Sequence, residues 1–124
     1  MTRKNIPTFT IKSPNRAEDM TFLTPKMLLV WSHFTLFAHS RDLPIKVTNI
    51  LQKFSVSKSN THPEGRAIDV SVKNWKPEDI SNCLDYLNEK VGKYGAISKA
   101  SGMKRVVYFH DAGLGPHFHL QVSR

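Results

Sequence analysis

The chain has 124 residues, 40% of them hydrophobic, which suits one domain spanning residues 1–124 with its own core. Its lone cysteine, Cys83, excludes an internal disulfide and a four-cysteine metal site. Eighteen Lys and Arg against 10 Asp and Glu give a net charge of +8, a balance that favours nucleic acid, an anionic membrane surface or a bacterial wall without choosing among them.

Residues 1–23 are polar and extended in character, with Pro7 and Pro14 arguing against helix. Met1 to Asn5 lacks the apolar run of a signal peptide, and no apolar stretch of about 18 residues occurs. The expectation is a chain without a transmembrane segment, made in the cytoplasm and exported, where it is, by another route. Thr24-Pro25 supplies an N-cap and first helical position. From Lys26 to Ser40, Met27, Val30 or Trp31, Phe34 and Phe37 share one helical face. Asp42 to Pro44 ends that helix, and Ile45 to Leu51 reads as a strand. A second helix starts near Pro77 with Glu78 and Asp79 in its first turn. Ile80, Leu84, Leu87 and Val91 form its buried stripe, Cys83 is a small buried residue in the same register, and Gly92 suits its C-cap. Arg105 to His110 and His117 to Val122 read as strands around a Gly-rich turn from Ala112 to Pro116. The order predicts an α+β domain: an antiparallel sheet packed with two main helices.

Two segments carry chemistry. In Thr61-His62-Pro63-Glu64-Gly65-Arg66-Ala67-Ile68-Asp69-Val70, alternation from Ala67 sends Ile68, Val70 and Val72 one way and Ala67, Asp69 and Ser71 the other. Gly65 allows a tight turn that folds His62 back beside Asp69. In Gly115-Pro116-His117-Phe118-His119-Leu120-Gln121-Val122, Phe118, Leu120 and Val122 face the core, with His117, His119 and Gln121 opposite. Imidazole and carboxylate are natural zinc ligands, and three of them leave a fourth position for a water that the metal acidifies.

The spacing His-x6-Asp, with Gly fourth and Ala sixth, followed about 50 residues later by His-x-His near the chain end, resembles the LAS-type zinc peptidases. That family groups D-alanyl-D-alanine carboxypeptidases, phage L-alanyl-D-glutamate endopeptidases and the zinc domain of hedgehog proteins. The similarity covers about Val47 to Val122. It implies a hedgehog/D,D-peptidase-like fold with the zinc site on a sheet face, Zn2+ held by His62, Asp69 and His119, and His117 beside the reacting water. Relatives often have Ser two residues before the first ligand, where this chain has Asn60. Where many carry a carboxylate-clamping Arg, this chain has Gln52, and Lys53 or Lys58 stands nearby. Gln52, Lys53 and Arg66 are the substrate-binding candidates. Pro116 occupies the position of an acidic general base, leaving His117 or Asp111 for that task. The resemblance implies a monomeric, endolysin-like peptidase acting on peptidoglycan stem peptides at an anionic cell wall, phage-encoded or virion-associated, with no obligate nucleic acid. An endopeptidase is favoured over a D,D-carboxypeptidase.

Two other readings remain. One is a zinc-binding module without catalysis. The other is a His-hydrophobe-His single-strand DNA endonuclease with Tyr86 as nucleophile, which leaves His62 and Asp69 unexplained. His33 and His39, six apart in the first helix, do not share a face as a ligand pair, and Trp75 reads as packing under the second helix.

Overall fold

The structure, a computed structural model, describes residues 9–51, 61–97, 102–112 and 115–124. The first helix, α1 (Pro25–Ser40), begins where Thr24 accepts a hydrogen bond from the Met27 backbone N–H at 3.3 Å. It buries Met27, Val30, Phe34, Phe37 and Ala38. The second, α2 (Pro77–Val91), buries Cys83, Leu87 and Val91, with Ile80 and Leu84 only partly covered. Gly92 does not take the left-handed cap expected of it. Its φ of −55° is right-handed, and the chain runs on into a 3-10 turn over Gly92–Tyr94.

The strands are β1 (Phe9–Ile11), β2 (Ile45–Asn49), β3 (Ala67–Ser71), β4 (Ala96–Ile97), β5 (Lys104–Arg105), β6 (Val107–Ala112) and β7 (Gly115–Gln121). Five form one sheet in the order β1-β2-β3-β7-β6, and β4 pairs with β5 separately. The sheet is mixed, which corrects the purely antiparallel expectation. β1 lies parallel to β2, with Phe9 opposite Ile45 and Ile11 opposite Val47. The chain between them passes through a 3-10 turn (Ala17–Phe22) and α1, and parallel neighbours require such a crossover. Residues 17–22 are thus helical where the prolines argued for extended chain. Pro14 precedes that turn and does not sit inside it.

Both helices cover one face of the sheet. Phe34, Trp75 and Phe118 meet there with ring centroids 5.7–6.2 Å apart, and the Trp75 indole N–H donates to the Pro44 carbonyl at 2.9 Å. Edge-to-face and offset rings at these distances add to the burial itself. Truncating the fully buried Phe118 to Ala should cost about 3–5 kcal/mol. This anchoring matters for the other face, because each core residue of β3 and β7 fixes the orientation of its polar neighbour. Among the described residues no helix is long and apolar enough to cross a membrane.

Candidate metal centre

β3 and β7 pair antiparallel, with Asp69 directly opposite His119 and Ser71 opposite His117. Because Ile68, Val70, Phe118 and Leu120 are committed to the core, Asp69, Ser71, His117 and His119 all project from the uncovered face. His62 arrives from outside the sheet. The turn over residues 61–65 closes through Gly65 N–H to the His62 carbonyl at 3.0 Å and Arg66 N–H to the Thr61 carbonyl at 2.7 Å. Gly65 has φ +72°, and a Cβ there would strike the Phe22 carbonyl, so the turn requires glycine.

These elements bring three side chains together. His119 Nδ1 lies 2.7 Å from Asp69 Oδ1, and His62 Nε2 lies 3.2 Å from Asp69 Oδ2. One ligand atom from each of His62, Asp69 and His119 falls within 4.8 Å of the other two, so the group could hold a metal ion.

The outer hydrogen bonds decide which atoms face inward. Ile50 offers a carbonyl 3.0 Å from His62 Nδ1. A carbonyl only accepts, so Nδ1 carries the proton and the Nε2 lone pair is turned toward Asp69. Gln121 does the same for His119. Its amide N–H donates to the Arg105 carbonyl at 3.5 Å, leaving Oε1 to accept from His119 Nε2 at 3.1 Å. His119 therefore also turns a lone pair, on Nδ1, toward the same carboxylate. Two lone pairs and a carboxylate repel unless protons or a cation lie among them. Such carbonyl and amide partners to the outer nitrogens are the usual support of metal-bound histidines.

In the absence of metal, protons take that place. Burial alone would lower the His62 pKa, but the hydrogen bond to Asp69 and its charge outweigh burial and raise it. Burial alone would raise the Asp69 pKa, but hydrogen bonds to His119 and His62 hold it well below the usual carboxylate range.

A further layer holds Ile50. Asn15 Oδ1 accepts from the Ile50 N–H and its amide donates to the Thr48 carbonyl, both at 3.0 Å. This brackets the register shift between Val47 and Asn49, beside Asp69, a bulge of the kind that re-aims neighbouring groups at sites. Sequence reading assigned no role to Asn15, Ile50 or Gln121. Only Gln121 left a signal there, its place on the His117–His119 face.

The remaining predicted residues divide. His117 shares the face with His119 but stands outside the three-residue group. Its Nδ1 donates to the Gly115 carbonyl at 3.0 Å, and its ring lies 5.3 Å from that of His110, directly across on β6. His110, which sequence reading passed over, thus joins the site face. Asp111 does not. It pairs with Pro116, one residue out of phase with His110, and so falls on the face of Phe109 and Phe118. Arg66 also differs from its substrate-binding expectation. Its guanidinium donates to Glu64 at 2.9 Å and to the Val122 carbonyl at 2.8 Å, with its side chain 11% exposed. Glu64 in turn takes two hydrogen bonds from Arg124, whose contact, with that of Arg66, lowers its pKa to about 2. Arg66 ties the turn to the C-terminal segment. Gln52 and Lys53, like Asn60 and Lys58, lie outside the described residues. Tyr86 packs against His33 and Phe37 between the helices, on the far side of the sheet from His119.

The uncovered face borders an open cleft of about 1320 Å³, lined in part by Lys46, Thr48, Asp69, Ser71 and His117. Comparison with known proteins adds nothing to this geometry: no family model, no curated protein and no solved structure matches the chain.

Proposed function

We propose that the chain is a zinc-dependent peptidase of the LAS type, with the hedgehog/D,D-peptidase-like architecture, that hydrolyses an internal bond of peptidoglycan stem peptides. The observation that carries this reading is the convergence of His62, Asp69 and His119, whose ligand atoms lie within 4.8 Å of one another while oxygen acceptors face the outer nitrogen of each imidazole. Two imidazoles and one carboxylate on a face open to a cleft form the donor set of a catalytic zinc site. The His62–Asp69 separation of 3.2 Å is close to the edge of roughly 3.3 Å that tetrahedral ligands at about 2.0–2.1 Å define. Zinc, when bound, supplies Lewis acidity and lowers the pKa of water toward neutrality.

The chain supplies everything else. Ile50 and Gln121 hold the ligand rings in one tautomer. His117, with Nδ1 donating to Gly115, presents Nε2 as the acceptor for the proton of the attacking water, and His110 beside it is the next group able to take that proton. These two histidines replace the acidic base whose position Pro116 occupies. The sheet face accommodates an extended peptide, and the charge of +8 suits adhesion to an anionic wall. The preference for an internal bond rests on Gln52, whose neutral amide cannot form the bidentate, charge-assisted pair that an Arg makes with a terminal carboxylate.

The endonuclease reading is disfavoured because Tyr86 stands between the helices, away from the histidines. Protein purified without added metal and loaded with zinc should bind about one equivalent and digest purified peptidoglycan. Stoichiometric zinc without digestion would identify a binding module instead, and failure to bind zinc would end both readings.

A further inference from the structure

Two imidazoles outside the group of His62, Asp69 and His119 stand directly opposite each other on the site face. His110 of β6 pairs with His117 of β7, and side chains so paired have Cβ atoms about 4.5–5.5 Å apart. Their ring centroids are 5.3 Å apart, nearly the 5.2 Å that separates the rings of His62 and His119. Each ring has a nitrogen to offer. His117 Nδ1 donates to the Gly115 carbonyl, which leaves a lone pair on Nε2. The other imidazole hydrogen bonds among the described residues belong to His33, His62 and His119, so neither ring nitrogen of His110 is engaged there. β6 is an edge strand and His110 is exposed, so water can complete the coordination of an ion held by the two rings.

We infer that His110 and His117 form a second, weaker zinc site, and that filling it silences the metal centre. The site itself stands apart from the peptidase reading, whereas the silencing rests on it. Imidazole suits zinc, copper and nickel, while calcium and magnesium prefer oxygen, and two protein ligands hold an ion less firmly than three. The pair is not the other half of a two-metal centre. Ions that act together on a substrate sit about 3.5–4 Å apart, whereas His117 and His119, two residues apart on one strand, are separated by about 7 Å. Both oxygens of Asp69 are turned to His119 and His62, and neither toward His110. A second ion therefore works against turnover. It takes the Nε2 lone pair of His117 that receives the proton of the attacking water, and it occupies His110, the next acceptor.

The test titrates zinc into the metal-free full chain by calorimetry, with histidine-ring NMR of the same samples. The wild type should take up a second equivalent, removable by dialysis, that shifts the signals of His110 and His117 after those of His62 and His119. His110→Gln and His117→Gln should each take up one equivalent, with circular dichroism unchanged. Asp69→Ala, which lacks the metal centre, should keep the weaker equivalent, so the two sites are scored independently. Peptidoglycan hydrolysis by the wild type should fall at least about 100-fold as the second site fills, the lower range for a proton-transfer group. The slower His110→Gln should not fall further at the same zinc concentration. A single equivalent in the wild type, or a second equivalent that persists in both glutamine variants, overturns the site. Two equivalents with hydrolysis undiminished overturn the silencing. Two equivalents with no hydrolysis at any zinc concentration support the site and remove the peptidase.

Discussion

Gln121 orients the ring of His119: its Oε1 lies 3.1 Å from His119 Nε2, so the opposite ring nitrogen, 2.7 Å from Asp69, is the one left to bind a cation or, without one, to hold a proton against that carboxylate. Removing such an outer partner of a metal-bound histidine typically weakens metal binding about 10–100-fold. Gln121→Ala should therefore lower zinc affinity by that factor while the protein stays folded, as measured by competition with a chromophoric chelator. Unchanged affinity would mean that His119 needs no such support.

The two histidines of β7 should separate by substitution. Asp69→Ala and His119→Ala should each lose zinc. His117→Ala should keep zinc and lose at least about 100-fold in kcat, the lower range for a proton-transfer group. His110→Gln should also keep zinc and slow turnover, whereas Asp111→Asn, on the other face, should change neither. Zinc loss in His117→Ala as complete as in His119→Ala would show the ligand assignment to be wrong.

The helices and the last strand pair were legible in the sequence because both periods were strong there. Thr24-Pro25 marked a helix start, and Phe118 and Leu120 alternated cleanly with His117 and His119. The grouping of His62, Asp69 and His119, which could hold a metal ion, was legible for the same reason, helped by the turn that needs Gly65. β1 was not, because three residues whose partner strand lies beyond a whole helix leave no local signature. The supporting shell was hidden for a different reason. The Ile50 carbonyl belongs to the backbone, and Asn15 reaches it across 35 residues of sequence. Where Arg66 and Asp111 point was hidden too: Arg66 turns to Glu64 and the Val122 carbonyl, and Asp111 falls on the face of Phe109, partners that sequence proximity to His62 or His117 does not reveal.

Arg66 offers a test of its structural tie to the C-terminal segment. Losing its hydrogen bonds to the Val122 carbonyl and Glu64 should destabilise the fold by about 1.5–3 kcal/mol, the range for hydrogen bonds to charged groups. Arg66→Ala should show this loss in urea unfolding, with KM for a peptide substrate unchanged. An altered KM with unaltered stability would restore Arg66 to the substrate site.

The pH dependence should reverse between the metal-free and loaded protein. Asp69, with its lowered pKa, stabilises the metal-free fold above the unfolded value of about 3.9, and that contribution is lost as pH falls through the folded pKa. His62, with its raised pKa, contributes fully below about 6.5 and loses that contribution as pH rises through its folded pKa. The metal-free protein should thus be most stable between about pH 4 and 6.5. Zinc needs both imidazoles unprotonated, so its stabilisation grows with pH. The gap in Tm between loaded and metal-free protein should widen from about pH 5.5 to 7.5, as measured by calorimetry. A gap that narrows over this range would show that these groups do not bind the metal.

The most direct test is mass spectrometry of muropeptides after digestion of purified peptidoglycan by the zinc-loaded chain, with a chelated control. The result predicted is cleavage at an internal stem-peptide bond, abolished by exhaustive chelation. Cleavage that persists in the chelated protein, or no cleavage by the loaded one, would contradict a zinc peptidase at His62, Asp69 and His119. Release of free D-alanine with internal bonds intact would contradict the endopeptidase assignment.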